Sequence, residues 1–254
     1  MENKRELLKE YFDSVQDEDV KKFMEQCIQT IPEYWYKVPA SSTGKYHPNY
    51  ALGDGGLMRH TIALLRFFDR LMRNSMYGSP FTNREMDLMR VACLMHDSRK
   101  SGSDADFSRS KYTRFDHPLL AANVIRDIET DYISDEEKEL VASAIESHMG
   151  QWNKDTYGKS DVELPLPKTK YQKIVHLVDY LAAQKGVEVQ FDGFVPEEHS
   201  TETTENATVD SYVFNFGKYK GMKLLEVNEK YPDYISWAKE NIDREPLKTL
   251  LTKI

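Results

Sequence analysis

From residue 4 to about residue 185 the apolar side chains recur mostly at spacings of three and four. That is the period of a helix burying one face, so this part of the chain reads as helices joined by polar loops. Five of these helices carry the argument: about residues 56–74, 84–96, 117–129, 135–148 and 168–185. Ser134, ahead of DEEKEL, has the residue type of an N-cap and is followed by acids in the first turn. The 254 residues leave room for a main domain with a small appendage. Residues 192–210, DGFVPEEHSTETTENATVD, are acidic, Thr-rich and nearly free of large apolar side chains, which marks a linker. After it, YVFNFGKYKGMKLLEV alternates aromatics with Gly217 and Gly221 at turn positions, and EKYPDYISWAKENI reads as a Pro-started amphipathic helix. The expected fold class is mainly α: a helical domain over 1–191, then a small α+β module over 211–254. No internal repeat is visible.

Composition narrows the functional classes. Hydrophobic residues at 40% and charged residues at 30% suit a globular chain, and no apolar run approaches the ~18 residues of a membrane span. No membrane partner is expected. The N-terminal MENKRELLKEYFDSV has charges scattered through an amphipathic pattern, not the apolar stretch of a secretory signal. Cys27 and Cys93 form no spaced motif, so a reduced, cytoplasmic setting is expected. A net charge of −8 argues against binding nucleic acid through a global positive field, and leaves a local basic patch open.

The sharpest question is posed by RVACLMHDSRKSG, residues 90–102, where an apolar helical pattern runs straight into His96 and Asp97. His60, His117, His148 and Asp179 stand on, or at the ends of, other expected helices, a distribution suited to convergence inside a bundle. His60 lies three residues after Leu57 and four before Leu64, so it shares their inward face. Asp179 shares a face with Val175 and Ala182. An inward carboxylate is costly unless paired or metal-bound, so inward Asp among inward His implies a cation. Imidazole with carboxylate suits Mn, Fe, Co, Ni or Zn better than Ca or Mg. Asp97 has two oxygens, enough to bridge two metals about 3.5–4 Å apart in a hydrolytic site.

The order His60, His96-Asp97, His117, His148, Asp179 resembles the HD-domain metal-dependent phosphohydrolase superfamily in its six-ligand, two-metal form. GGLMRHT at 55–61 is similar to that family's first-histidine helix, and VHLVDYL at 175–181 to its final aspartate helix. HDSRK at 96–100 departs from the common HD-x-G-K form at Arg99, a change that bears on the loop after the motif. The resemblance covers about residues 50–185. It implies an all-helical phosphohydrolase in which His60, His96, Asp97 and Asp179 hold one divalent transition metal ion. Asp97, His117 and His148 would hold a second, and Lys100 would contact phosphate. The spacing looks most like bacterial members that include 3′–5′ exoribonucleases. FNFGKYKGMKLLEVNEKYPDYISWAKENI, residues 214–242, resembles a small module appended to exonuclease-type proteins. That resemblance points to nucleic acid, with Lys218, Lys220 and Lys223 as phosphate contacts and Tyr219 or Trp237 as stacking surfaces.

Each residue also has a plainer reading. A single histidine on an apolar face is usually a hydrogen-bonded core residue; the ordered set argues otherwise. Asp116-His117-Pro118 also fits a helix start carrying a surface histidine. His176, one turn before Asp179, reads as supporting or structural, and His199 as a solvated linker residue. Lys100 reads as a phosphate contact or an ordinary lysine of a polar loop. The loop VPASSTGKYHPNYALGDGGL, 38–57, could present Ser41, Ser42, Lys45 and His47 to substrate, or could merely pack. Its STGK is no Walker A motif, since Pro39 stands where the first glycine belongs and Tyr46 replaces the Ser/Thr. Arg109, Lys111 and Arg114, interleaved with Tyr112, could clasp a nucleotide or form a solvated loop. Tyr234 and Trp237 at helical spacing favour packing over stacking.

The expected chemistry is phosphoester hydrolysis by metal-activated water, with Asp97 orienting the water and Lys100 neutralising phosphoryl charge. The leading substrate is a nucleic acid, single-stranded and trimmed from an end. The alternatives are a small nucleotide (a dNTP, a dinucleoside polyphosphate or a cyclic nucleotide) and a scaffold that binds nucleotide without turnover. Oligomerisation is left open.

Overall fold

The structure is a computed structural model that describes residues 8–42, 47–103, 113–156, 160–191, 208–214, 218–219, 221–242 and 247–254. The chain divides into two compact units, Met1–Val195 and Pro196–Ile254. The first contains α1 (Lys9–Ser14), α2 (Glu18–Thr30), α3 (Gly56–Met72), α4 (Ser75–Gly78), α5 (Asn83–Met95), α6 (His117–Asp127), α7 (Asp135–Glu146) and α8 (Lys170–Ala182). The second contains α9 (Leu224–Lys230), α10 (Pro232–Asn241) and α11 (Leu247–Leu251). No described helix is long and apolar enough to cross a membrane.

The central helix of the first unit is α5. Leu88, Met89 and the unbroken run Val91 to Met95 are all buried, as expected of a helix covered on every side. Its neighbours α2, α3, α7 and α8 do the covering, and α6 packs on α7. Helices α5, α7 and α8 all start with capping boxes, in which Thr82, Ser134 and Thr169 exchange bonds with Glu85, Glu137 and Gln172. Asp87, buried in α5, accepts the backbone N–H of both Gln16 and Asp17 at 2.9 Å and pairs with Arg90. The α1–α2 turn is thereby fixed to the core helix.

One of these boxes makes a pH-dependent clasp. Glu85 also accepts from the Tyr171 hydroxyl and the Lys170 ammonium, joining the start of α5 to the start of α8. Burial pushes the Glu85 carboxyl up, but those three donors outweigh it and bring the carboxyl down to about 2. A depressed carboxylate contributes stability above its unfolded pKa of about 4.3 and loses it as pH falls toward the folded value. Glu85→Gln should therefore cost about 1–2 kcal/mol near pH 7. Urea unfolding at decreasing pH should show wild type and variant converging between about 4.5 and 2; a gap that persists on acidification would contradict the clasp.

In the second unit, an α+β module is not what forms among the described residues. The alternating aromatics produce one isolated antiparallel bridge, Val213 to Lys223, and a short irregular pairing from Phe214 N–H to Met222 O and from Leu224 N–H to Tyr212 O. Strand growth stops because Leu224 and Val227, one turn apart, are both fully buried and commit the next residues to α9. Tyr212, Phe214 and Tyr219 are buried with Leu224, Ile235, Leu247 and Leu250, forming the unit's own core.

Candidate metal centre

Four histidines and two aspartates converge in the first unit. Helix α3 supplies His60, the end of α5 supplies His96 and the following turn Asp97, α6 opens on His117, the turn after α7 supplies His148, and α8 supplies Asp179. His60, His96, Asp97, His117 and His148 are at most 2% exposed, while the Asp179 side chain is 19% exposed and forms the open edge.

The two oxygens of Asp97 divide the cluster. Oδ1 lies 2.8 Å from His117 Nε2 and 3.7 Å from His148 Nε2; Oδ2 lies 3.5 Å from His96 Nε2. Asp179 Oδ1 lies 3.0 Å from His60 Nε2 and 3.6 Å from His96 Nε2. Three subsets have ligand atoms all within 4.8 Å of one another: His60/His96/Asp97, His96/His148/Asp179 and Asp97/His117/His148. Lys100 Nζ donates to Asp97 Oδ2 at 2.7 Å from a buried position one turn later.

The hydrogen bonds behind the rings decide what their front nitrogens can do. His96, His117 and His148 direct Nδ1 at the carbonyls of Cys93 (2.8 Å), Arg114 (2.6 Å) and Ile145 (2.7 Å). A neutral imidazole donating through Nδ1 presents a lone pair at Nε2, so in the neutral form each of these rings can face Asp97 as an acceptor, the form a metal ligand needs. His96 Nε2, His117 Nε2, Asp97 Oδ1 and His60 Nδ1 are accordingly buried without a hydrogen-bond partner among the described residues. At the 2.8 Å between His117 Nε2 and Asp97 Oδ1, a lone pair facing a carboxylate oxygen is favourable only with a proton or a cation between them. Burial pushes the His148 imidazole down to about 3 and lowers that of His117. Burial also pushes the Asp97 carboxyl up, but Lys100, His96 and His117 together hold it well below the usual carboxylate range. For His96, burial works downward and the carboxylates of Asp97 and Asp179 prevail, raising it. The donor set of imidazole nitrogens and ionised carboxylates thus fits divalent cations.

The surrounding loops hold this geometry. The Tyr34 hydroxyl donates to Gly102 O at 2.7 Å and accepts Ser101 N–H, bracing the turn that follows Asp97. Arg99, the departure from the common motif, donates to Thr30 O at 2.9 Å and so ties the same turn to α2. Ahead of His60, the Arg59 guanidinium reaches the carbonyls of Tyr50, Leu52 and Asp54. Gly56 packs so closely that a Cβ there would stand 2.3 Å from Ala51 O.

Among the other expected contacts, Ser42 accepts Thr113 N–H at 3.0 Å and steadies the segment entering α6. Arg114 is bidentate to Asp116, and its own backbone carbonyl orients His117. His47 stacks edge-on with His60 at 5.1 Å between ring centroids, and its buried Nδ1 has no hydrogen-bond partner among the described residues. Ser41 is half-buried. Lys45, Arg109, Lys111, Tyr112, His199 and Lys220 lie outside the described residues. His176 donates through Nδ1 to His148 O at 2.7 Å, one step behind the cluster. In the second unit Trp237 is 52% exposed and tilted on Tyr234, so the expected burial of this ring in the small core is not observed.

A family model described as the HD domain matches residues 57–184, about half of the chain, and spans all six converging side chains. The chain belongs to the HD-domain family. An HD protein is a metal-dependent phosphohydrolase that binds divalent metals, and the buried His/Asp groups of this chain are of a kind that could hold them. A second family model, the exodeoxyribonuclease X-like C-terminal domain, matches residues 214–243. Comparison with curated proteins and with solved structures gave no match.

Proposed function

We propose that this HD protein is a phosphodiesterase that shortens single-stranded nucleic acid from an end, using two divalent transition metal ions shared through Asp97. The observation that carries the proposal is the division of the Asp97 carboxylate, one oxygen toward His117 and His148 and the other toward His96. In this reading His60, His96, Asp97 and Asp179 hold one cation, and Asp97, His117 and His148 the other. When bound, such a pair would supply the acidification of water and the charge neutralisation at phosphorus that phosphoester hydrolysis needs at neutral pH. The chain's own contribution is positioning. Carbonyls of Cys93, Arg114 and Ile145 hold three rings in the lone-pair-forward tautomer, and the buried walls keep bulk water away. Lys100 keeps Asp97 ionised and offers a fixed positive charge to a non-bridging phosphate oxygen.

Nucleic acid is favoured over other phosphoesters by the C-terminal match to an exodeoxyribonuclease-associated domain. The acidic chain, with a net charge of −8, favours the second reading, hydrolysis of a small nucleotide. The test is to strip the protein of metal, reload it with Mn²⁺, and incubate it with end-labelled single-stranded RNA and DNA and a nucleotide panel, with Asp97→Asn alongside. A ladder of shortened strands, absent with the variant, is the expected result. Cleavage confined to small nucleotides would replace the proposal with the second reading.

A further inference from the structure

Two exposed aromatics of the first unit are linked through the chain and through His176 to the His/Asp cluster. Trp152, on the short helical turn Gly150–Trp152, is 49% exposed, and Tyr180 on α8 is 37% exposed. Their rings lie 5.8 Å apart with planes inclined by only 20°, a stacked pair in which each ring stays partly exposed. Both are joined to the cluster through the chain. Trp152 follows His148 by four residues, and Tyr180 adjoins Asp179, the one cluster residue open to solvent. His176 lies behind both rings, at 6.2 Å from Trp152 and 6.4 Å from Tyr180, while donating to the carbonyl of His148.

Holding a large ring out in solvent this way requires a specific local build. Gly150 adopts φ +54°, and a Cβ there would fall 2.1 Å from His176 Cε1. Only glycine lets the turn after His148 lie flat on the imidazole and lay Trp152 along α8. Core packing does not account for the pair, since so much of both rings stays in contact with water.

We infer that Trp152 and Tyr180 form a stacking platform for a nucleobase of the substrate, next to the phosphate seated at the metal centre. The inference rests on the nucleic-acid or nucleotide reading above and adds the subsite that recognises the base. An aromatic face accepts any base, because every base has a π-face, so the platform confers affinity with little sequence preference. Its placement beside Asp179 assigns it to a nucleotide adjoining the scissile phosphate.

The test uses the full chain with single-stranded oligonucleotides carrying 2-aminopurine at one end or the other, and with 2-aminopurine nucleoside monophosphate. Stacking should quench the probe on wild type and on Trp152→Phe, and not on Trp152→Leu. In steady-state assays Trp152→Leu should raise KM for a natural strand about tenfold, leave kcat near wild type, and leave a strand with abasic ends unaffected. Equal losses on natural and abasic strands would show a merely structural role and overturn the platform. Quenching that persists in Trp152→Leu would overturn it too. Strand cleavage without Trp152-dependent quenching would sink the platform while leaving the phosphodiesterase reading intact; quenching without cleavage would do the reverse.

Discussion

Asp97→Asn is expected to lower turnover of a phosphodiester by roughly 10³-fold or more. The substitution keeps the volume and removes the one group that faces both halves of the cluster. An amide presents one oxygen and one NH₂, so it can serve only one side as a ligand. The same change leaves the Lys100 ammonium, 10% exposed, without its carboxylate, and breaking a buried pair costs about 3–5 kcal/mol. A melting curve of the variant must therefore accompany the assay. Lys100→Met separates the two effects, because it spares every proposed ligand: bound metal should be retained while kcat falls about 10²-fold. Full activity in folded Asp97→Asn would refute a role for Asp97 in the chemistry.

The second large effect is thermal. Asp97 and Asp179 are held as carboxylates beside His96 Nε2 and His117 Nε2, which are buried without a hydrogen-bond partner among the described residues, so the folded chain presents a preformed cation site that the unfolded chain lacks. Cations binding only the folded state stabilise it by about 4 kcal/mol at 1,000 times Kd. For a unit of this size that corresponds to a rise in Tm on the order of 10 °C. Melting the protein after exhaustive chelation, and again after adding back Mn²⁺, should recover that interval. His117→Ala should lose part of it. Identical melting curves with and without chelator would mean that the cluster holds no cation tightly.

The sequence made the converging set of four histidines and two aspartates readable for a particular reason. Each of the six side chains stands on, or at the end of, a helix, and within a helix the apolar period shows which way a residue faces, as Leu57 and Leu64 do for His60. All five helices appear, with C-terminal ends one to three residues short of the expected ones and starts within two residues. Ser134 caps α7 as its residue type suggests. The sequence was silent on contacts across elements. Nothing in HDSRK reveals which oxygen of Asp97 faces which imidazole, or that Arg99 would reach Thr30. Likewise MGQWN contains a tryptophan four residues after His148, a spacing that could have drawn attention, but its stacking on Tyr180 depends on how the turn at Gly150 meets α8. The C-terminal strand expectation failed because alternating aromatics signal burial on one face, and a hairpin-like loop packed on α9 and α10 satisfies that without a sheet.

Counting bound metal is the most direct test of the proposed bridging role of Asp97. The folded protein, loaded with Mn²⁺ and freed of excess by gel filtration, should carry two equivalents per chain by elemental analysis. His117→Ala should carry one, because His117 serves only the Oδ1 side. One equivalent in the wild type, unchanged by His117→Ala, would contradict a centre in which Asp97 joins two cations.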